Sequence, residues 1–299
     1  MDIMYSVIIP HKNIPKLLER CLQSIPSRND IQIIVVDDCS DKDVICKVER
    51  LCSLYNTLLI KTTEGKGAGY VRNIGLTRAI GKWVLFADAD DFFYDKAFSI
   101  FDKYNETDND VIYFYCNSRN SDTMTLDLDR VPAIKKGIET KDYGLLRYKS
   151  SVPWGKMINY NVIKKHKLEF EEIIASNDIM FSARLGFHAK KVDVISDALY
   201  CVTTRSNSLY MNPSPEKMKS RFFASIRVNS FLYSIGERKY RNEPLRDLFY
   251  FFPSDLSFFF RNIIVCKRNE IWKDFIIQLF DTISLNLILY LKRRGLWKK

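Results

Sequence analysis

Three of the four residues in Asp88-Ala89-Asp90-Asp91 are carboxylates, and they follow directly on an apolar run, Trp83–Ala87. Carboxylates crowded into one crevice repel, so they need a cation or a change of pKa to coexist. Oxygen ligands of this kind suit a hard divalent ion, Mg2+ or Mn2+, with Asp88 and Asp90 as the candidate ligands. Such an ion would bridge the oxygens of a diphosphate and stabilise the charge that develops as it leaves. Capping of the following helix is the competing use, but a cap employs one aspartate well and not three. A second apolar run, Ile31–Val36, ends in Asp37-Asp38. A carboxylate there can accept from a base N–H or a ribose hydroxyl, or Asp-Cys-Ser-Asp can be plain turn chemistry. Gly65-Lys66-Gly67-Ala68-Gly69 would let backbone approach a ligand, although it fits neither GxxxxGK[ST] nor GxGxxG. Arg72 follows it, a guanidinium fork suited to phosphate or to one of these aspartates.

Something must hold these groups together, and the pattern points to a sheet. Short apolar runs predict strands at Tyr5–Pro10, Ile31–Val36, Leu58–Lys61, Trp83–Ala87 and Val111–Cys116. Helical spacing predicts helices over Pro15–Ile25 and Asp43–Tyr55; the glycine loop leads into a third, through Ala79 and closed by Gly81, and Phe92–Phe101 reads as the next. Repeated β-α-β units imply an α/β fold, a mostly parallel, doubly wound sheet with helices on both faces. Ligands bind such sheets beyond the carboxyl ends of the strands, which is where both aspartate clusters fall. Residues 117–150 read as polar and loop-rich. Trp154 to Leu199 reads as helix, loop, a helix near Asp178–His188 and a strand near Lys191–Ile195. From Pro213 onward the pattern is helical, aromatic and basic.

Composition narrows the classes. With 299 residues and 46% hydrophobic content the chain can bury a large core, which excludes a disordered or fibrous protein. The net charge of +10 suits acidic partners. Seven scattered cysteines without CxxC pairs, and only three histidines, argue against a zinc site. The same cysteine usage, with no signal segment or spanning apolar run, predicts a reducing, cytoplasmic home.

Taken in order, the pieces resemble the family 2 inverting glycosyltransferases of GT-A fold. They are Val7-Ile8-Ile9-Pro10 with Asn13, Cys21-Leu22-Gln23-Ser24-Ile25, Val35-Val36-Asp37-Asp38-Cys39-Ser40, Arg72-Asn73-Ile74-Gly75, Ala79-Ile80-Gly81 and Asp88-Ala89-Asp90-Asp91. The resemblance runs unbroken through roughly the first hundred residues, which makes it far more specific than any single motif. It implies a catalytic domain over residues 1–210, with a nucleotide-sugar half at 1–105 and an acceptor half at 106–210, ahead of a helical region at 211–299. The donor, by default a UDP-linked hexose, would lie across Pro10, Asn13, Asp37, Asp38, Gly67, Arg72 and Asp88. Its diphosphate would be held through Mn2+ or Mg2+ at Asp88 and Asp90. Trp154-Gly155-Lys156-Met157 and Arg205-Ser206-Asn207-Ser208-Leu209 are similar to later family segments, so Trp154, Lys156 and Arg205 are expected on the acceptor side. The family's base lies in a Glu-Asp pair opening a helix. The matching stretch here is Asn177-Asp178, which makes Asp178 the expected base with Asn177 where the family has glutamate. Lys12 stands where the family commonly has tyrosine.

The expected reaction is a single displacement, with Asp178 taking the proton of a glycan or lipid-linked hydroxyl in bacterial-type surface polysaccharide synthesis. A nucleotidyltransferase would need a glycine- and basic-rich triphosphate loop near the N-terminus, and Pro10-His11-Lys12-Asn13 is not one. A nucleic-acid-binding protein is disfavoured because the basic residues are spread along the whole chain without a recognised motif. Residues 250–299 hold nine Lys/Arg against four acids, with Phe258-Phe259-Phe260, an apolar stripe from Ile276 to Leu291, and Trp297. That region could lie peripherally on an anionic membrane, or pack on the protein or on a second subunit of a homodimer.

Overall fold

The computed structural model describes residues 2–127, 132–204, 214–252 and 254–268. The chain divides into two compact units, Met1–Asn212 and Pro213–Lys299. The first is built on an eight-stranded sheet of order β3-β2-β1-β4-β7-β6-β8-β5. Strands β1 (Tyr5–His11), β2 (Ile31–Asp37), β3 (Leu58–Lys61) and β4 (Trp83–Phe86) are mutually parallel. They alternate with helices α1 (Pro15–Gln23), α2 (Lys42–Leu54) and α3 (Ala68–Arg78), as the β-α-β pattern requires. Continuous apolar runs put β1 and β4 at the centre of the core, where Val7, Ile8, Ile9 and all of β4 are buried.

The register opens a crevice. β1 pairs with β2 as far as His11↔Asp37, but with β4 only to Ile8↔Phe86. Pro10, which lacks an N–H, therefore sits past the end of β4, where the ladder does not need one there. The chain leaves β4 directly into Asp88, so both aspartate clusters border the same end of the sheet.

Downstream the elements differ from the sequence reading. Phe92–Phe93 is a short strand, β5, paired with β8, and the helix α4 begins only at Ala97 (Ala97–Phe101). β6 runs on from Val111 to Asn120, because its polar end pairs with the equally polar end of β8 (Val192–Thr204). Residues expected to form loops carry α5 (Pro132–Thr140) and α6 (Tyr143–Tyr148). Lys156–Asn159, read as the start of a helix, is β7, an antiparallel strand between β4 and β6. Four residues give no periodicity to recognise, and only the neighbouring strands make them a strand. α7 (Tyr160–His166) and α8 (Ile179–His188) complete the unit.

The second unit has its own small core. α9 (Pro215–Ser234), α10 (Pro244–Phe249) and α11 (Leu256–Arg268) bury Met218, Phe222, Leu245, Leu248, Phe251 and Phe259 together. Phe252 and Phe260 are exposed. The stripe from Ile276 to Leu291 and the basic residues 292–299 lie outside the described residues. Among the described residues no helix is long and apolar enough to cross a membrane.

Candidate active site

One flank of the crevice is formed by the ends of β1 and β2. His11 Nδ1 and Asp37 Oδ1 are 2.7 Å apart, and Asp37 also accepts from Ser40 N at 2.8 Å and Ser40 Oγ at 2.6 Å. His11 Nε2 accepts the Ile14 N–H at 3.2 Å, which assigns the ring proton to Nδ1. Asp37 is 2% exposed. Burial pushes its pKa up, but the bonds from His11 and Ser40 outweigh that and hold the carboxyl below its ordinary value. Asn13 adopts φ 55°, accepts from Asp41 N at 2.9 Å through Oδ1, and donates its own N–H to Ser40 Oγ. Asn13 and Asp37 thus spend their side chains on the turns that follow β1 and β2. Asp38 reaches across to the glycine loop. It accepts from Gly67 N at 3.1 and 3.2 Å, while Lys12 Nζ lies 3.4 Å away. Gly67 takes φ 90°, a conformation that strains any other residue and starts α3 at this point.

The other flank gathers residues remote in sequence. Arg72, 5% exposed, donates from Nη2 to Asp88 Oδ1 at 2.7 Å and from Nη1 to Asn177 Oδ1 at 3.0 Å. Its guanidinium lies 5.4 Å from the centre of the Phe170 ring. The Asp88 side chain stays 32% exposed. Its backbone N–H donates to Tyr200 Oη at 2.8 Å, and that hydroxyl donates to Asp91 Oδ2 at 2.9 Å. Asp91 accepts the Thr203 N–H at 2.7 Å and is fully enclosed, so burial, followed by Asp90 and Asp88, pushes its pKa well up. The Asp90 carbonyl receives Arg20 Nη2 and Thr203 Oγ1, both at 2.5 Å. The cluster is therefore divided: Asp91 anchors the loop to β8, and the Asp88 carboxylate borders the crevice.

Asp178 stands at the start of α8, half-buried. Its side chain makes no capping bond to that helix. Burial raises its pKa, opposed first by the charge of Arg72. The segment leading to it is fixed from α3. Asn73 brackets the backbone of Phe170, accepting at 2.8 Å and donating at 3.0 Å, and Phe170 stacks on Phe181 of α8 at 4.1 Å. Gly69 is required here, since a Cβ would lie 2.2 Å from the Glu171 carbonyl oxygen.

Among the described residues no three His, Cys, Asp or Glu side chains meet to form a protein-only cation cage. A hard ion at the exposed Asp88 carboxylate would therefore need further oxygens, such as those of a diphosphate, the usual arrangement for Mg2+.

The pattern described as Glycosyl transferase family 2 matches residues 6–165, more than half of the chain. This chain belongs to that family. The poly(ribitol-phosphate) beta-N-acetylglucosaminyltransferase TarS of Staphylococcus aureus is 25% identical over 236 residues, covering 71% of this chain and 38% of TarS. The chain therefore spans well under half the length of that relative. The crystal structure of TarS 1–349 in complex with UDP-GlcNAc superposes with a TM-score of 0.65 at 20% identity, over 83% of this chain and 73% of that one. The mannosyltransferase PcManGT from Pyrobaculum calidifontis, in complex with GDP-Man and Mn2+, gives a TM-score of 0.52 at 15% identity, over 97% and 82%. These likenesses establish the GT-A type of fold.

Against the family pattern, Asn177 fills its place by accepting from Arg72, as a glutamate could, but without a charge. Trp154 is buried and stacks on Tyr200, with ring centres 5.8 Å apart. Lys156, expected to meet the acceptor, is 1% exposed and turned inward onto the carbonyls of Ser150 and Val152. In that place the ammonium holds backbone. Arg205 lies outside the described residues. Four residues of the site escaped the sequence reading: His11, Arg20, Tyr200 and Thr203. The only signal for Tyr200 is a hydroxyl within the buried Leu199-Tyr200-Cys201 run. Nothing local marks the others.

Proposed function

We propose that this chain transfers a sugar from a nucleoside-diphosphate donor, by default a UDP-hexose, to a hydroxyl of a glycan, lipid-linked or polyol-phosphate acceptor. A single displacement would invert the anomeric centre. The observation that carries this reading is the Arg72 bridge, which joins Asp88 at 2.7 Å to Asn177, the neighbour of Asp178, at 3.0 Å. On this reading it would tie the diphosphate-side carboxylate to the neighbour of the base.

The donor's nucleotide would rest over Pro10 and the turns that Asn13, Asp37 and Asp38 shape, with Gly67 allowing close backbone approach. Asp88 and Asp90 would hold Mn2+ or Mg2+ together with the diphosphate. The ion supplies Lewis-acid stabilisation of the departing charge. Arg72 would add its fixed positive charge to the same oxygens. Asp178, with its raised pKa, is suited to accept the acceptor's proton. A poly(ribitol-phosphate) acceptor, as named for TarS, is a polyanion, and the net charge of +10 suits it. Exposed Phe252 and Phe260 with Arg261 suit peripheral contact with an anionic membrane that carries a lipid-linked acceptor.

The test is incubation with UDP-GlcNAc or UDP-glucose and a polyol-phosphate acceptor, with Mn2+ or with chelator, following products by NMR. Nucleoside diphosphate and an inverted linkage support the reading. In a parallel arm with UTP and a sugar 1-phosphate, released pyrophosphate would mark a nucleotidyltransferase instead, and absence of turnover with every donor would reject the reading.

A further inference from the structure

The segment 150–156, which leads into β7, is joined through one intermediate residue each to Asp88 and to Asp178. Through Trp154 it supports Tyr200, whose hydroxyl receives the Asp88 N–H. Its other end is Lys156, on a strand paired with both β4 and β6. The buried ammonium donates to the carbonyl of Ser150 at 3.0 Å and to that of Val152, and lies 5.7 Å from the centre of the Tyr113 ring. Among the described residues no carboxylate bonds it. Ser182, one turn into α8, grips the same backbone. Its hydroxyl donates to Ser151 O at 3.0 Å or Val152 O at 3.3 Å, and its N–H closes on Asp178 O at 2.9 Å. The strap at 150–152 is thus held by a cation from the sheet and by the helix that Asp178 opens.

A buried ammonium without a paired acid is costly. Replacing a buried charge by an apolar group of similar volume is often neutral or stabilising, so packing alone does not account for a lysine here. What the cation adds is a fixed backbone clamp and a positive charge near Asp178. Burial lowers the Lys156 pKa to about 7, opposed first by the charge of Asp178. The charged groups around Asp178 are Arg72 on α3, Asp88 after β4 and Lys156 on β7. The two cations favour the carboxylate, and Asp88 opposes it.

We propose that Lys156 is a positioning residue for Asp178, clamping the 150–152 strap against the first turn of α8 and supplying positive charge to the carboxylate. The proposal rests on reading Asp178 as the base. The test uses Lys156→Met, Lys156→Arg, Ser182→Ala and Asp178→Asn in the full chain, measuring kcat and donor KM across pH together with Tm.

Lys156→Met lowers kcat roughly 10- to 100-fold, the scale of a small misplacement of a catalytic group, and leaves donor KM unchanged. It also moves the acidic limb of kcat to higher pH, because a charge favouring the carboxylate is gone. Lys156→Arg keeps the limb in place. Ser182→Ala lowers kcat without moving the limb. A folded Lys156→Met with an unmoved limb, or with donor KM rising in step with the loss of kcat, overturns the proposal. If Lys156→Met does not fold, Ser182→Ala decides: reduced kcat supports the clamp and unchanged kcat overturns it. Transfer surviving in Asp178→Asn defeats the base reading. An inactive Asp178→Asn beside fully active Lys156→Met and Ser182→Ala defeats only the positioning role.

Discussion

The two flanks of the crevice are held by different means. At the ends of β1 and β2 the polar groups are satisfied close by in sequence: Ser40 reaches Asp37 across three positions and His11 reaches it across 26. Around Asp88 and Asp178 the partners are far apart, with Arg72 and Asn177 separated by 105 positions and Asp88 and Tyr200 by 112. The near flank is a pair of self-contained turns. The far flank exists only once β8, β7 and α8 have docked, so its geometry is tied to the stability of the whole unit. Changes on the near flank should act locally, and changes on the far flank should disturb chemistry and folding together.

The largest effect should come from the far flank. Asp178→Asn removes the proposed base and should lower kcat by roughly 10²- to 10⁴-fold, with donor affinity by calorimetry unchanged. Loss of donor binding in that variant would erase the functional difference between the flanks. Asp88→Asn should cost roughly 10²-fold or more in turnover, as removal of a charge that stabilises the leaving group does. It should also weaken donor binding, because a neutral amide holds Arg72 less strongly than a carboxylate does.

The flanks should also differ in pH dependence. Burial holds the Asp178 pKa above its ordinary value, so kcat should rise with pH on a limb above about 4, the carboxylate then being free to accept a proton. Asp37 is held below its ordinary value. The stabilisation from its bonds is therefore complete at neutral pH and is lost as pH falls through its folded pKa, below about 4. Asp37→Asn should flatten the acid limb of a Tm–pH profile and leave the kcat limb in place.

Tyr200→Phe sharpens the contrast in stability. It keeps the Trp154 stack but strips the Asp88 N–H and the Asp91 carboxyl of a shared partner, which should cost about 1–3 kcal/mol in denaturant unfolding. The smallest effect should be at the sheet edge, where Lys61→Ala removes an exposed pair with Glu49 and should leave both Tm and kcat unchanged.

Legibility followed the same division. The parallel half of the sheet was readable because its strands are short apolar runs, α1 and α2 show their own stripes, and glycines bound α3. Phe92–Phe101 was read as one helix, but its first two residues, Phe92 and Phe93, pair with β8 as a short strand edge. The motif around Lys156 says nothing of which way a lysine turns; burial between β4 and β6 turns it inward.

By itself the sequence determined the alternation of strands and helices, the placing of Asp37, Asp38 and Asp88–Asp91 at strand ends, and the family. Those follow from local periodicity and from motifs a few residues long. Only the tertiary structure decided which aspartate faces the crevice and which anchors a loop, because Asp88 and Asp91 are the same residue type three positions apart and differ only in what β8 brings to them. It alone joined Arg72 to Asn177 and set Lys156 under the strap. A side chain's partners across a hundred residues depend on how strands pair, and no local pattern carries that information.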